Sequence, residues 1–377
     1  MAHAKRWTRL PGSAAPLVTA LLVTGLVVTG LAAGCTSAPA ASTGTGASGA
    51  GRGAQPVTTA QARQVFASYV EVADRAAVSR DATLASSVVT GVQQTTVSAQ
   101  LKAAQSGDGG VARYRYGNPA FYLPQPGGYP RWFVASVQRT LAGQPASSGS
   151  PGNPNGTAGV RLAATGQVLM VFEQARKTSP WLLASASQLP AGEAVPALSV
   201  NGAGYVATVP LSSGAQLARP DVAGPLQAAV VDDGPASPAA KVVAAGSLTT
   251  GIYAAARASA GGLRPPPGDV YEWELEGAPY TMFALRTASG GALVFYAMYL
   301  NSAVEVPAVL NKGVVRPGPP ITVPGYLAFL LKPGRPAPRV RLSTQQLLSF
   351  AAVDPPASAG KMRVIAMGGG LVYADAS

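Results

Sequence analysis

Three glutamates at alternate positions, Glu272, Glu274 and Glu276, are the first candidates for chemistry in this sequence. In a β-strand, side chains alternate between the two faces, so these carboxylates share one face and lie about 7 Å from one another. That distance is compatible with an acid–base pair for glycoside cleavage or with a calcium site. Like charges in a row are more typical of a solvated strand face, and no DxDxDG calcium loop accompanies them. We therefore favour the solvated face.

Histidine and cysteine occur once each, as His3 and Cys35. A serine hydrolase of the usual kind needs a histidine base, and His3 belongs to the leader discussed below, so the mature chain has none. Ser358 and Lys361 match the SxxK pattern of Ser–Lys enzymes, but they lie in a Pro-, Ala- and Gly-rich turn without an SDN element. One cysteine provides neither an internal disulfide nor a thiol metal site. We predict no enzyme, no metal and no cofactor.

Six basic residues lie in or next to a stretch that has no acidic residue between Glu305 and Asp354. They are Lys312, Arg316, Lys332, Arg335, Arg339 and Arg341. Such a patch attracts anionic lipid headgroups or acidic wall polymers. Pairing with the glutamate strand, or plain solvation, is the favoured alternative.

The first 35 residues have the three parts of an export signal. Basic residues Lys5, Arg6 and Arg9 come first, an uncharged apolar stretch follows at 17–31, and small residues complete the segment. A plain secretory signal or an uncleaved anchor is the alternative interpretation.

The end of this segment, Leu31-Ala32-Ala33-Gly34-Cys35, resembles the lipobox of bacterial lipoproteins, with Ala32 where leucine is more usual. The resemblance implies a signal peptide at 1–34, cleavage before Cys35, a diacylglyceryl thioether on its sulfur and acylation, for example by palmitate, of the new amino group. Two acyl chains anchor a protein stably where one is reversible. We therefore expect a protein held by lipid on the outer face of the cell membrane, where nucleic acid is not an expected partner.

Residues 35–56 are mostly Ala, Gly, Ser and Thr, with Arg52 their only charge. Such a segment cannot bury enough apolar surface to fold, and it predicts a flexible tether with a reach of about 25 Å. No later segment has the uncharged apolar length of a membrane span.

Beyond the tether, helical patterns precede strand patterns twice. In the first half, helices are predicted over 58–104 with an interruption at Gly91, and the strands are predicted at 114–116, 121–123, 131–140, 160–164, 167–174 and 181–185. In the second half, helices are predicted at 220–231 and 239–260, and strands from 270 onward, among them 278–287, 292–300, 321–332, 339–342 and 362–373. This order predicts an α+β fold of two tandem domains, 57–211 and 212–377, each with helices followed by a curved antiparallel sheet.

Two pairs of short motifs occupy comparable places in the two halves and favour an internal duplication over coincidence. They are Val89-Thr90-Gly91 with Thr249-Thr250-Gly251, and Arg131-Trp132-Phe133 with Thr281-Met282-Phe283. The order of elements resembles the cystatin-like and nuclear-transport-factor-two-like folds. Three phrases are also similar to an uncharacterised family of actinobacterial lipoproteins: Phe121-Tyr122-Leu123-Pro124, Gly128-Tyr129-Pro130-Arg131-Trp132-Phe133 and Pro180-Trp181-Leu182.

Folds of these types often hold a concave pocket, and seven aromatic residues are candidates to line one, although a core role suits most of them. They are Tyr114, Tyr116, Phe121, Tyr122, Tyr129, Trp132 and Phe133. We expect a non-catalytic binding or scaffolding module for an envelope protein or an anionic wall polymer. A pocket for lipid or a small molecule is the alternative, and an envelope hydrolase using a carboxylate pair comes third.

Overall fold

The computed structural model describes residues 56–105, 111–125, 127–142, 165–258, 270–306 and 340–377, with short pieces at 309–311, 314–316, 320–321, 323, 327 and 330–331. Residues 51–377 form one compact unit. The predicted leader, the lipidated Cys35 and nearly all of the tether lie outside the described residues, as does the strand predicted at 160–164.

Five α-helices and twelve strands lie within the described residues. The helices are α1 (Thr59–Ser79), α2 (Ala82–Ser86), α3 (Gly91–Gln105), α4 (Ala223–Asp233) and α5 (Thr250–Arg257). The strands of the first half are β1 (Tyr114–Tyr116), β2 (Ala120–Tyr122), β3 (Arg131–Leu141), β4 (Thr165–Gln174) and β5 (Leu182–Gln188). Those of the second half are β6 (Val270–Gly277), β7 (Phe283–Arg286), β8 (Ala292–Glu305), β9 (Val309–Asn311), β10 (Val314–Arg316), β11 (Arg341–Asp354) and β12 (Arg363–Ala376).

The N-terminal helices are delimited by side-chain caps. The hydroxyl of Thr58 accepts from the Gln61 N–H at 3.1 Å at the start of α1, and the Asp81 carboxylate accepts from the Leu84 N–H at 3.0 Å at the start of α2. Each cap satisfies a backbone donor that has no partner inside the helix. The predicted interruption at Gly91 is confirmed: this residue has φ of 54°, and the turn before it pairs with β5 through Val89.

Ten strands form one antiparallel sheet in the order β1-β3-β4-β5-β12-β11-β8-β6, with β2 also paired to β3 and β7 to β8. Strands β9 and β10 pair with each other. The predicted α+β class is therefore confirmed as helices on a large open antiparallel sheet. The sheet continues from the first half into the second where β5 meets β12, at the pair Gln188–Met367, so the predicted boundary after residue 211 falls inside one compact unit.

Glycines allow the close approach of strands at this junction. A Cβ on Gly368 would lie 1.9 Å from the carbonyl oxygen of Ala186, and one on Gly369 would lie 2.1 Å from that of Leu347. Gly369 also has φ of 112°, which L side chains rarely adopt. Helix α3 packs across β5 and β12 at this place.

Three main cores surround the sheet. One lies between the N-terminal helices and the sheet, around Phe133 and Phe172, and another lies under α4 and α5, around Ile252 and Phe350. The third core contains buried residues from both halves of the chain, packed against one another. Its members include Val134, Leu169, Leu285, Phe295 and Ile365. Because the central strands are covered on both faces, runs such as 292–298 are apolar without alternation.

Several predicted elements are wrong. The helix expected over 239–260 is only a short 3-10 turn, Pro238–Lys241, followed by α5, because Val243 between them pairs with Met362, the residue before β12. The strand expected over 321–332 is not formed at Leu327, which is helical. The strand expected over 278–287 begins only at Phe283, since Pro279 has no N–H to donate to a ladder. No helix in the described part of the chain is long and apolar enough to cross a membrane.

Candidate functional site

The glutamate strand forms polar pairs across neighbouring strands. Arg341 of β11 donates to Glu272 at 3.2 Å and to Glu305 of β8 at 3.0 Å. The Asn301 side chain donates to Glu276 at 2.8 Å, and Glu274 also has an interaction partner. These contacts tie β6, β8 and β11 together, and the Glu272 and Glu305 side chains remain partly exposed.

The predicted basic patch lies mostly outside the described residues. Lys312, Lys332, Arg335 and Arg339 lie outside the described residues, and only the backbone of Arg316 is described. The basic patch therefore stays a prediction, although Arg341 pairs with glutamates. The ammonium group of Lys361, in the SxxK match, donates a hydrogen bond to the Ala240 carbonyl oxygen at 2.7 Å. Across the described ranges, no group of three or more His, Cys, Asp or Glu residues is placed to hold a metal ion.

A cavity of about 160 Å³ lies between the three N-terminal helices and the sheet. Its walls come from α1, α2 and α3 on one side and from β1, β3, β4, β5 and β12 on the other. The apolar lining residues include Val70, Ala73, Ala76, Ala77, Ala85, Val88, Val89, Val97, Leu101, Val111 and Met170. The polar lining residues are Tyr69, Asp74, Gln93, Thr96, Gln100, Arg113, Tyr114, Tyr116 and Arg139.

Arg139 is the cation that the sheet contributes to the cavity lining. It lies on β3 an even number of residues from Phe133 and Val137, which are buried in the core under the helices. Side chains at alternate positions of a strand share one face, so the Arg139 side chain also faces the helices. One terminal nitrogen donates to the Gln188 side-chain oxygen at 2.8 Å. The guanidinium carbon lies 4.2 Å from the centre of the Tyr114 ring, within cation–π distance.

The contact between Gln188 and Arg139 depends on a glycine between them. Gly166 of β4 pairs with Arg139 of β3, and β4 lies between β3 and β5 in the sheet. A Cβ on Gly166 would lie 2.5 Å from the Gln188 side-chain nitrogen. The Gln188 side chain therefore crosses β4 in the space that a larger residue would fill.

Two tyrosine hydroxyls lie beside this cation. The Tyr69 and Tyr116 side chains hydrogen-bond to each other, and Arg139 hydrogen-bonds to Tyr116. Burial raises the pKa of both phenols, although the nearby arginine charge opposes the shift. Both hydroxyls thus stay protonated at neutral pH, and one of the two protons is used in the bond between them.

Asp74 of α1 and Arg113 form a bidentate pair at the rim of the cavity. The arginine donates to the two carboxylate oxygens at 2.8 and 3.0 Å. Hydrogen bonding from Arg113 lowers the pKa of Asp74. Among the described lining residues this carboxylate is the only acidic group, and both its oxygens accept from Arg113.

Helix α3 adds two amides to the cavity wall, those of Gln93 and Gln100. They lie seven residues apart and hence on one helix face. Neither amide hydrogen-bonds to another side chain or backbone group in the part of the chain that the structure describes. The cavity lining therefore combines many small apolar side chains with several hydrogen-bond donors.

The candidate aromatic residues divide between different environments. Tyr114 and Tyr116 line the cavity. Phe121 and Phe133 belong to the core under α1, and Tyr122 packs in the core between the halves. Sequence reasoning missed Arg139, although a charged residue in phase with buried Phe133 and Val137 was a signal in the pattern.

A second, open groove of about 390 Å³ has walls from both halves. The remaining aromatic candidates, Tyr129 and Trp132, line it together with Phe283. The bond between Tyr129 and Pro130 is cis. Arg131 lies 5.2 Å from the Tyr129 ring centre and 5.5 Å from that of Trp181.

Comparison with known proteins places these features in a family. The profile described as "Domain of unknown function (DUF8094)" matches residues 54–376. The chain belongs to this family. No curated protein and no solved structure matches the chain. The DUF8094 match agrees with the predicted membership of an uncharacterised family, and it includes the cavity, the groove and the whole sheet, whereas Cys35 precedes it.

Proposed function

We propose that the DUF8094 domain is a non-catalytic binding module that holds a small amphiphilic molecule in the cavity under α1–α3. The supporting observation is the cavity itself, whose lining combines alanines and valines with hydrogen-bond donors. A cavity of about 150 Å³ in another protein accommodates benzene. The ligand body is therefore expected to be about one aromatic ring or about six carbons in size.

Thermal unfolding with a panel of small amphiphiles tests this function. A ligand that binds only the native state stabilises it by roughly 2.7 kcal/mol at a hundredfold excess over Kd. The cavity-filling substitution Ala73→Leu should abolish the ligand-induced rise in Tm. The control Ala67→Leu, on the exposed face of the same helix, should retain it. Ligand shifts that persist in Ala73→Leu would place binding elsewhere.

We also propose that this module is carried on lipid-modified Cys35 at the outer face of the membrane. The lipobox resemblance of 31–35 supports this location. Metabolic labelling with a radioactive or alkyne-bearing palmitate should mark the wild-type protein and not Cys35→Ala. Label that persists in the variant would refute the anchor.

A partner-binding role is the second candidate, and the open groove supports it. Tyr129 is 38% exposed there and stacks with Arg131 rather than entering a core. The groove suits an extended segment of an envelope protein that offers apolar and aromatic side chains. In-cell crosslinking should enrich one envelope protein with the wild type, but not with Tyr129→Ala or with residues 1–56 alone. Equal recovery with all three would exclude the groove.

We further propose that the two halves, 57–211 and 212–377, are tandem copies of one α+β unit of the cystatin-like or nuclear-transport-factor-two-like type. The support is their identical pairing scheme. In the first half β1 and β2 both pair with β3, which leads to β4 and β5. In the second half β6 and β7 both pair with β8, which leads to β11 and β12. Superposition of β3-β4-β5 on β8-β11-β12 in a crystal structure should also bring α3 onto α5, and failure to do so would contradict the duplication.

A further inference from the structure

We infer that the cavity selects a ligand carrying a carboxylate group, which the Arg139 guanidinium binds. This inference rests on the proposed function and specifies the chemical class of the ligand. It begins with the environment of the cation. Arg139 forms no ion pair with any acidic group in the described ranges, and its partners there are a neutral amide oxygen, a hydroxyl and an aromatic ring.

A half-buried cation without a carboxylate partner is costly unless another group supplies the negative charge. The rim acid Asp74 does not supply it, because both its oxygens accept from Arg113. The cavity lining therefore carries a net positive charge, from Arg113 and Arg139 against Asp74. An anionic ligand group would balance the excess.

The geometry of the donors favours a carboxylate over a bulkier, more highly charged phosphate. A guanidinium has five N–H donors in a planar fork that matches the two oxygens of a carboxylate. Contacts to Gln188 and Tyr116 use only part of this set. The Arg113 guanidinium is paired with Asp74, so the described lining supplies no second unpaired cation for a dianion.

The rest of the cavity sets the body of the ligand. Ala73, Ala77 and Ala85 leave space where larger side chains would fill the gap between helices and sheet. A compact apolar body with a terminal carboxylate, such as an aromatic or short-chain carboxylic acid, would contact the apolar lining residues and the Arg139 guanidinium. Benzoate and its neutral counterpart benzyl alcohol are therefore suitable probes.

Isothermal titration of the full chain in detergent with these two probes tests the inference. We expect the wild type to bind benzoate at least tenfold more tightly than benzyl alcohol. Arg139→Gln should weaken benzoate binding at least tenfold and change benzyl alcohol binding less than threefold. Arg139→Lys, which keeps the charge but loses the fork, should be intermediate. The control Arg257→Gln removes an exposed positive charge on α5 and should change neither affinity.

The possible outcomes separate the two proposals. Equal affinities for benzoate and benzyl alcohol, or equal losses for both in Arg139→Gln, would overturn the carboxylate inference while leaving the cavity as a binding site. No binding of either probe, together with no thermal shift across the wider amphiphile panel, would overturn the proposed function itself. A misfolded Arg139→Gln is detected by its circular dichroism, and Arg139→Lys then decides the result.

Discussion

Asp354 lies at the end of β11 with 1% of its surface exposed. Its carboxylate oxygens are 3.3 and 3.4 Å from the Ala218 N–H nitrogen. Burial raises the pKa of this group from 3.8 to about 6, against the effect of the hydrogen bond. The folded protein therefore holds this proton more tightly than the unfolded chain does.

This shift predicts a pH-dependent stability. The contribution of Asp354 is fully present below the unfolded pKa of about 3.9 and is lost as the pH rises through about 6. Between pH 4 and pH 7 the free energy of unfolding should fall by roughly 2–3 kcal/mol from this group. Urea unfolding at several pH values should show this fall in the wild type and a flatter profile in Asp354→Asn.

The exposed Asp375→Asn provides the matched control for the pH experiment. Its profile should follow the wild type. Parallel profiles for wild type and Asp354→Asn would show that the buried carboxyl does not control stability in this range.

Gly369 is a second position whose environment disfavours any residue with a side chain. Alanine there combines an unfavourable φ of 112° with a Cβ placed 2.1 Å from the Leu347 carbonyl oxygen. Gly369→Ala should therefore lower the free energy of unfolding by about 3 kcal/mol or more. At the edge strand, a Cβ on Gly277 would meet nothing within 4 Å, so Gly277→Ala should change urea stability by less than about 1 kcal/mol. Similar losses in both variants would argue against crowding at the junction.

At the scale of elements, α2 is a short helix that depends on its cap. The Asp81 carboxylate accepts from the Leu84 N–H, and Ala85 of this helix lines the cavity. Asp81→Ala should cost about 1 kcal/mol in urea unfolding. Asp81→Asn keeps an oxygen acceptor and should cost clearly less. A loss of equal size in both variants would assign the effect to the charge rather than to the cap.

Element prediction succeeded where the local pattern was strong. The strand over 131–140 and the helix over 220–231 agree with β3 and α4, whose apolar periods or β-branched runs are unambiguous. The helix expected over 239–260 failed because alanine-rich composition favours a helix, whereas Val243 pairs with Met362 far along the chain. The first part of β11 was missed because Ser343, Thr344 and the following glutamines lack the apolar pattern of a buried strand, and the apolar run at 347–353 was not predicted as a strand either.

At the scale of the whole molecule, the core between the halves predicts cooperative unfolding. Val134 and Leu169 come from the first half, and Leu285 and Phe295 come from the second. Separating the halves would expose this apolar surface to water. Residues 57–211 alone should therefore lack a sigmoidal urea transition, whereas 51–377 should unfold in one transition. A cooperative transition of the isolated first half would show that its own core suffices.

The amino-acid sequence by itself determined the α+β class, the repeated order of helices before strands and the alternation of glutamates along β6. These properties depend on residues a few positions apart, which act through helix and strand periods and through Gly and Pro in turns. Membership of an uncharacterised family was also predicted and agrees with the DUF8094 match.

Only the tertiary structure decided that β5 and β12 join the halves into one sheet, that Arg341 pairs with Glu272 and Glu305, and that Arg139 faces a cavity. Each of these features depends on groups brought together from distant parts of the chain. The cavity exists because α1–α3 present small side chains toward the sheet. Its cation is held because Gly166 leaves space for Gln188 to reach across β4, and no local period in the sequence encodes that contact.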